Sequence, residues 1–567
     1  MSRKARRAVV LFVVPLVLYG VLLGVLPLME PDETRYALIP REMNQTGDYV
    51  TPHLKGVVYL EKPPLAYWAT ALSYRLLGEG EFSSRLFGAL CAWGCILLAY
   101  AMGRHLYDEE TGTFAAAVFS TSLLPFVLGR LNILDMPLTF FVSAALWSAY
   151  RYLEERREGT GRGRAYLWGL YLFSAAAFLT KGLVGVVFPF AVGVLWLLWE
   201  KRWREVPRLV SPAGILVFLV AAGPWLYLVQ AANPDFFHFF FVREHFLRFT
   251  TTIHERTEPF YYYFLILLVG TVPWGAYLPR ALLAAPGAAR DLPASARRYL
   301  LSWGGFVFLF FSLSSSKLAS YIAPVFPPLA VYLGHVLRAA QGAPYPIFRR
   351  QRWAAAAAIP VFLQAAALAA AVFVPLLFDK YRRIGPPAGA FFVLLPLLQV
   401  LIVVVSVRGS RRLAGGPFFT VYLSTALFFA LALFPAAHWL GPGKSALPTA
   451  AAVKRLLPPG ETLYQYRLTM YGLDFYGGYP TAIVDDQGEL AYGIRFLSPA
   501  DREARFPGRE AFARAVGEGR ARFAVTEGKD KVEELRRIRP DLRVLWDNGK
   551  FYMVDLRPAV KDGHDGS

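Results

Sequence analysis

Ionisable side chains stand out in this chain because they come in short groups between long apolar runs. The first group opens with the paired acids Asp32 and Glu33 and closes with Glu61 and Lys62, within DETRYALIPREMNQTGDYVTPHLKGVVYLEK. Arg and Lys can bind a phosphate through charge-assisted hydrogen bonds, and carboxylates can act as bases or stabilise an oxocarbenium-like transition state at a sugar carbon. Later groups are Arg130 and Asp135 (GRLNILDMP), Lys181 (LTKG), Glu244, His245 and Arg248 (VREHFLRF), and Lys317 and Tyr321 (SSSKLASYI). These residue types indicate chemistry on a phosphate-bearing substrate.

The composition places these groups in a membrane protein. The chain has 567 residues, of which 55% are hydrophobic and 18% charged. A soluble protein of this length would expose more charge, so repeated apolar runs of membrane length indicate a polytopic α-helical membrane protein. The net charge is +19, but most of the excess lies in short loops, where the positive-inside rule and anionic membrane lipids explain it. The pattern therefore argues against a nucleic-acid partner.

Hydropathy predicts about thirteen transmembrane helices. A basic N-terminus in the cytoplasm, followed by alternation, leaves more Lys and Arg in the inner loops than in the outer loops, as the positive-inside rule requires. The groups described above then all fall on the outer face, where charges near membrane depth usually line a cavity, pair or serve function. The predicted spans are 8–28, 83–103, 112–129, 133–150, 165–180, 183–199, 210–230, 261–279, 299–314, 321–338, 353–377, 387–407 and 416–438.

The tail, residues 441–567, has a composition suited to water and is predicted to be a soluble α/β domain outside the membrane. ETLYQYRLT, TAIVDD and RFAVTEG read as strands, GREAFARAVGEG and DKVEELRRIR as helices, and LRVLWDNGKFYMVDL as a hairpin that turns at Asn548-Gly549. No P-loop, G-x-G-x-x-G or D-x-D pattern occurs. A nucleotide or nucleotide-sugar substrate is therefore not expected.

Each group also has a simpler structural explanation. Lys181 alone could extend to the membrane surface, Asp135 could cap a helix, and Glu244–His245 could be an ordinary surface pair. The two cysteines, Cys91 and Cys95, lie four residues apart in an apolar run, which favours packing over a disulfide or metal site. The functional interpretation depends on the convergence of several acids and bases on one membrane face.

The first group and its surroundings resemble a known family. The segment DETRYALIPREMNQTGDYVTPHLKGVVYLEKPPLAYW resembles the first periplasmic loop of the bacterial aminoarabinose (undecaprenyl phosphate-α-L-Ara4N) transferases, and EHFLRF and SSSKLASYIAP are similar to that family as well. These enzymes are GT-C glycosyltransferases related to the protein O-mannosyltransferases. The resemblance implies a GT-C catalytic domain over 1–440, with its first periplasmic loop at 29–82, and a periplasmic domain over 441–567.

The resemblance also implies a role for individual residues. Asp32 and Asp135 match essential acids, and Glu33 beside Asp32 is a third catalytic candidate. Lys62 and Arg248 match the groups that hold the carrier-lipid phosphate; the residues expected around the same phosphate are Tyr59, Tyr321 and Lys317. Glu61 and His245 match positions that can hold zinc in a relative. Two protein ligands alone make a weak site, so no cofactor is required and zinc is an option only.

The implied activity is transfer of a sugar, 4-amino-4-deoxy-L-arabinose, from undecaprenyl phosphate to lipid A at the periplasmic face of a bacterial inner membrane. Within the same class, the alternative is another sugar, or a protein or glycan acceptor. The rival from another class is a secondary transporter, which would predict internal repeats, interrupted helices and polar residues near the bilayer midplane. No repeat is evident and the acids gather at one surface, so the sequence favours the transferase.

Overall fold

The computed structural model describes residues 2–159, 161, 163–247, 258–277, 294–342, 416–479 and 481–558. The chain forms two compact units that do not follow the predicted boundary near residue 440. The first unit comprises Met1–Val25, Glu61–Ala69 and Arg85–Pro435, and the second comprises Leu26–Leu60, Thr70–Ser84 and Ala436–Ser567. Most of the segment predicted as the first periplasmic loop is therefore part of the same unit as the tail.

Helices dominate the described part of the chain before the tail. The initial apolar run is helical from Arg3 to Val21, in consecutive α- and π-helical segments, and ends earlier than the predicted span 8–28. The helices that follow are Asp32–Thr46, Leu65–Leu77, Glu81–Leu106, Glu109–Ser120, Leu123–Leu128, Asp135–Glu158, Gly163–Lys181, Val184–Trp199, Trp203–Leu209, Pro212–Ala232, His238–Leu247, Tyr262–Gly270, Trp274–Tyr277, Ala294–Leu313, Ala319–Val325, Phe326–Gly342 and Gly416–Lys444.

Three helical stretches within the described ranges are long and apolar enough to cross a membrane: Glu81–Leu106, Pro212–Ala232 and Ala319–Arg338. Shorter apolar helices are Val184–Trp199 and Val421–Phe434. The other predicted spans contain helix wherever they are described, but 353–377 and 387–407 lie outside the described residues. The number of thirteen membrane crossings therefore stays a prediction.

Arg130, which the sequence placed with the candidate functional groups, has a structural role. Its side chain is buried and its guanidinium donates to the backbone carbonyls of Leu18 and Leu22. These carbonyls lie where the first helix ends, where the last C=O groups run out of intrahelical donors. The buried arginine thus satisfies the carbonyl end of a helix in the first unit.

The tail contains a five-stranded mixed sheet. In chain order, β1 (His53–Leu54) and β2 (Val57–Val58) form a small hairpin in the first loop, and the sheet strands are β3 (Leu463–Tyr466), β4 (Thr481–Val484), β5 (Phe523–Glu527), β6 (Arg543–Asp547) and β7 (Phe551–Asp555). The sheet order is β4-β3-β5-β7-β6, with β3 parallel to both β4 and β5 and with β7 antiparallel to β5 and β6. Each of these five strands lies where the sequence predicts it.

Alternation along the strands builds a core on each face of the sheet. In β5, Ala524 packs with the helices Arg509–Gly517 and Lys529–Ile538, while its neighbours Phe523 and Val525 pack against the helix Leu447–Leu456 on the other face. This period of two is what a sheet covered on both sides requires. The remaining helices of the tail are Leu473–Gly477, Gly488–Leu490, Ala491–Ile494 and Pro499–Arg505.

A helix in the first loop, Asp32–Thr46, is absent from the sequence-based prediction, which treated this stretch as a loop. Asp32 and Glu33 occupy its first turn, where carboxylates interact favourably with the helix dipole. It ends at Gly47, whose φ of 75° is left-handed and suits a glycine cap. We call it the first-loop helix.

Polar contacts tie the first loop to the tail within the second unit. Lys55, at the turn of the β1–β2 hairpin, donates from its ammonium to both carboxylate oxygens of Asp474, at 2.7 and 2.8 Å. Arg41 on the first-loop helix donates to the carbonyls of Asp474 and Phe475, both at 3.1 Å. The side chain of Lys55 is only 6% exposed, so the ion pair with Asp474 is buried within the second unit.

The buried ion pair yields a prediction about stability. Changing Lys55 to Met keeps the length of the side chain but leaves the Asp474 carboxylate without its cation. We expect the second unit to lose about 3 kcal/mol of stability, because removing one partner leaves a buried charge unpaired. Thermal unfolding of the full chain in detergent measures the loss, with the exposed Lys454→Met as the control. Equal unfolding temperatures for the two variants would contradict the assignment.

Candidate active site

In the second unit, the exposed carboxylate of Asp32 is bonded to the buried guanidinium of Arg35. The Asp32 side chain is 55% exposed, whereas that of Arg35 is 6% exposed. The Arg35 guanidinium donates from one terminal nitrogen to Asp32 Oδ1 and forms an ion pair with Glu489 Oε2 through the other. The Tyr59 hydroxyl also donates to Glu489 Oε2, at 3.3 Å. Arg35 therefore fixes the direction of the Asp32 carboxylate and leaves part of it open to a substrate.

The charge on Arg35 is secure despite its burial. Burial acts to lower the pKa of the guanidinium, but the neighbouring Tyr59 and Tyr36 hydroxyls and the Asp32 carboxylate outweigh it, so the pKa lies above its ordinary value. The planar guanidinium can serve two carboxylates at once, which an ammonium cannot do with the same geometry.

Glu33, the second acid of the pair, bonds the backbone just before the same helix. It is only 2% exposed, and its Oε2 accepts a hydrogen bond from the backbone N–H of Met29 at 3.0 Å. Met29 lies two residues before the N-cap Pro31, so this contact fixes the chain that leads into the helix. The geometry gives Glu33 a backbone-positioning role, and a direct catalytic role for it stays a prediction.

In the first unit, Asp135 forms an ion pair with Lys181. The Lys181 ammonium lies 2.7 Å from Asp135 Oδ1 and 4.6 Å from the centre of the Tyr321 ring. No side-chain cap bond closes the start of the helix Asp135–Glu158, so Asp135 does not act as the cap considered above. Lys181 also does not simply extend to the membrane surface, because its ammonium contacts Asp135 and the Tyr321 ring. Tyr321, predicted to line the phosphate cavity, packs over a cation in this pair.

Lys62 lies between two carboxylates of the first unit. Its ammonium is 3.7 Å from Glu61 Oε2 and 3.8 Å from Glu244 Oε2, and it donates to the Glu61 carbonyl at 3.0 Å. The ammonium is attracted to both carboxylates, which fixes its position between them. Lys317 is buried and donates to the Ser314 carbonyl at 2.8 Å. Arg248, the other predicted phosphate-binding residue, lies outside the described residues.

Only one of the two predicted zinc ligands, Glu61, has a described side chain. Glu61 has the Lys62 ammonium beside it, and the side chain of His245 is not among those described. Across the described ranges, no group of three or more His, Cys, Asp or Glu side chains could hold a metal ion. Zinc binding by Glu61 and His245 stays a prediction, and none of the chemistry proposed below depends on it.

Sequence reasoning missed two residues that organise the site. Arg35 stands three positions after Asp32 in DETRY, so helical spacing could have paired them once the helix was recognised. Glu489 carries no such signal, because it lies in the tail more than 400 residues from Asp32 and only folding brings it to Arg35.

Comparisons with known proteins show which proteins this chain resembles. Residues 61–228 match the family model described as dolichyl-phosphate-mannose-protein mannosyltransferase. Undecaprenyl phosphate-alpha-4-amino-4-deoxy-L-arabinose arabinosyl transferases from Pectobacterium carotovorum and Pseudomonas aeruginosa are 38% and 36% identical over 308 and 310 residues. These alignments cover 54% of this chain in both cases and 54% and 55% of the relatives, so the chain spans about half the length of the curated relatives that it matches.

Solved structures extend the similarity over nearly the whole chain. The crystal structure of ArnT from Cupriavidus metallidurans bound to undecaprenyl phosphate matches with a TM-score of 0.83 and 27% identity, covering 97% of this chain and 98% of that chain. Its apo form matches with a TM-score of 0.80 and 26% identity, over 98% and 99%. The predicted resemblance to the bacterial aminoarabinose transferases and to the GT-C fold is confirmed. These comparisons do not establish the count of thirteen spans.

The bridge through Arg35 predicts strong coupling between two residues that are distant in sequence. In a double-mutant cycle with Arg35→Ala and Glu489→Ala, the two losses of unfolding free energy should not add. We expect a coupling of about 1.5–3 kcal/mol, because hydrogen bonds between charged groups have this magnitude. Thermal unfolding of the four proteins measures it. The control is the same cycle at the exposed pair Arg514 and Glu503, where the coupling energy should be less than about 1 kcal/mol. Additive losses of unfolding free energy at Arg35 and Glu489 would contradict the bridge.

Proposed function

We propose that this chain is a polyprenyl-phosphate-sugar-dependent glycosyltransferase of the GT-C type. In this proposal it moves 4-amino-4-deoxy-L-arabinose from undecaprenyl phosphate to lipid A at the periplasmic face of a bacterial inner membrane. The observation that carries the proposal is the likeness, over nearly the whole chain, to ArnT bound to undecaprenyl phosphate. The curated relatives named as arabinosyl transferases support the same donor and the same sugar.

The site geometry supports a division of roles. The exposed Asp32 carboxylate, oriented by Arg35, can stabilise positive charge at the sugar carbon or accept a proton from the attacking group. Asp135 is the second predicted acid, and its ion pair with Lys181 holds its carboxylate in place. Lys62 and Arg248 are the proposed ligands of the carrier phosphate, with Tyr59, Tyr321 and Lys317 around it.

The identity of the acceptor decides what the acids must do. A phosphate group on lipid A is already ionised near neutral pH, so its attack on the sugar needs no strong base. A hydroxyl acceptor must lose a proton during transfer and needs a positioned carboxylate. A second phosphate would need cations beyond those that bind the donor, and Lys181 is already paired with Asp135. The lipid A acceptor therefore rests mainly on the resemblance.

One observation favours a second acceptor class. The matched family model is named for protein mannosylation, a reaction in which the acceptor is a protein. A direct assay separates the two candidates: the purified full chain is given undecaprenyl-phosphate-linked aminoarabinose with either lipid A or a Ser/Thr-containing peptide. Mass spectrometry should detect the sugar on lipid A phosphate. Transfer to the peptide and never to lipid A would overturn the proposed acceptor.

Asp32→Asn should abolish most transfer while leaving the protein folded. The amide keeps the size of the side chain but can neither accept a proton nor stabilise positive charge, and a positioned acid or base typically contributes 10²–10⁴-fold to the rate, so we expect a loss of about that size. Initial transfer rates and thermal unfolding are measured together. The exposed Asp530→Asn in the tail is the control. Near-normal turnover in Asp32→Asn would remove this residue from the mechanism.

Lys62→Ala should weaken use of the lipid donor. A charge-assisted contact to a phosphate is worth about 1.5–3 kcal/mol, so donor affinity should fall about ten- to hundredfold. Arg248→Ala should behave in the same way if it shares the phosphate. The KM for the donor is compared with that of Lys201→Ala, which removes an exposed lysine elsewhere in the first unit. An unchanged donor KM in both variants would assign these cations to the fold instead.

A further inference from the structure

Glu30 joins the first loop to the tail immediately before the catalytic candidate Asp32. Its Oε2 accepts a hydrogen bond from the Thr34 hydroxyl at 2.6 Å, and its Oε1 accepts one from the backbone N–H of Gly472, also at 2.6 Å. The Glu30 N–H donates to the Lys444 carbonyl at 2.8 Å. All four residues belong to the second unit. One carboxylate thus connects the first turn of the first-loop helix to a turn of the tail.

The approach of Gly472 to this carboxylate requires a glycine. A Cβ at position 472 would overlap Glu30 Oε1 and would lie 2.7 Å from Ala446 Cβ and 3.0 Å from Thr34 Cγ2. The φ of Gly472 is −68°, which any residue can adopt. The requirement is therefore space for close backbone approach, not backbone freedom, and it indicates a contact built to tight tolerance.

A second bond holds the same two segments. The Leu28 N–H donates to the Tyr476 hydroxyl at 2.8 Å, so Leu28 as well as Glu30 is bonded to the segment 472–476. Thr34 lies between Asp32 and Arg35 in the first turn of the helix. We propose that Glu30 is a positioning residue: its contact with Gly472 keeps this turn, and with it Asp32, against the tail. This contact weakens when Glu30 ionises. The proposal rests on the proposed function in that it takes Asp32 as the catalytic acid.

The charges around Glu30 support this behaviour. Burial raises the pKa of the Glu30 carboxyl to about 7, although hydrogen bonds from Thr34, Gly472 and Tyr471 act in the opposite direction. Asp474, on the same turn of the tail, raises the pKa further because it carries a like charge. Asp474 is itself paired with Lys55. Lys444 contributes its backbone carbonyl to the contact.

Glu30 can keep its hydrogen bonds both as a neutral acid and as a carboxylate, but the carboxylate is less stable in this buried position. When protonated, Glu30 can donate to the Thr34 oxygen, which then donates to the Pro31 carbonyl at 3.2 Å. When ionised, the carboxylate is a partly desolvated charge near Asp474, and release to water becomes more favourable. The raised pKa means that the contact is strongest below the ordinary pKa of 4.5 and weakens as pH rises to about 7. Between these values the ratio of released to bound forms rises about tenfold per pH unit.

Hydrogen–deuterium exchange tests the contact without relying on turnover. In the full chain in nanodiscs, amide protection at 29–36 and 470–474, corrected for intrinsic exchange, should fall between pH 5.5 and 8. Glu30→Gln, a neutral isostere, should remove this pH dependence, whereas the exposed Glu510→Gln should retain it. Thr34→Val and Gly472→Ala, which break the contact from either side, should lower protection at every pH. Identical pH dependence in wild type and Glu30→Gln would overturn the proposal.

The pH dependence of turnover tests the positioning role. With saturating donor and acceptor, wild-type kcat should decline as pH rises toward about 7 and level off above it. Glu30→Gln should flatten that decline while the donor KM stays unchanged. Ionisation of a phosphate acceptor acts in the opposite sense, raising the rate as pH increases through about 6. Superimposable kcat profiles would show that Glu30 does not act through Asp32. If no aminoarabinose transfer occurs at all, the proposed function fails, and the exchange measurement still decides whether the Glu30 contact exists.

Discussion

The buried guanidinium of Arg35 is the constraint around which the second unit is arranged. A guanidinium removed from water must have carboxylate partners, because an unpaired buried charge costs several kcal/mol. Arg35 takes one partner, Asp32, from its own helix and the other, Glu489, from the tail. The pairing therefore requires residues 32–35 and 489 to be folded together. It explains why the first loop and the tail form one unit although more than 350 residues separate them.

The same rule governs the polar residues of the first unit. Asp135 pairs with Lys181, and Lys62 lies between Glu61 and Glu244, so these charges are held by near neighbours of opposite sign. Such pairing makes ionised groups tolerable near an apolar environment and fixes their geometry at the same time. Rigid placement is what a transferase needs, since a misplaced carboxylate or ammonium stabilises a transition state poorly.

Much of the secondary structure could be predicted from the chain alone. The strands of the tail and the helices Arg509–Gly517 and Lys529–Ile538 lie at the predicted positions, because short amphipathic elements between turn residues carry a strong local signal. The first-loop helix was missed because its charged and apolar residues are mixed, and no apolar face recurs at helical spacing. The interrupted helix at Glu109–Ser120 and Leu123–Leu128 was likewise read as one span, because hydropathy responds to apolar content and not to a local break.

The sequence by itself determined which residues could do chemistry and that they stand at the ends of apolar runs, because residue type and hydropathy are local properties. It identified Asp32, Asp135 and Lys62 in this way. Only the tertiary structure decided how they are held: Glu489 reaches Arg35, Lys181 reaches Asp135, and Gly472 reaches Glu30. These partners are far apart along the chain, and a salt bridge or hydrogen bond requires atoms to approach within about 3–4 Å. No pattern in the sequence specifies such distances, and folding alone sets them.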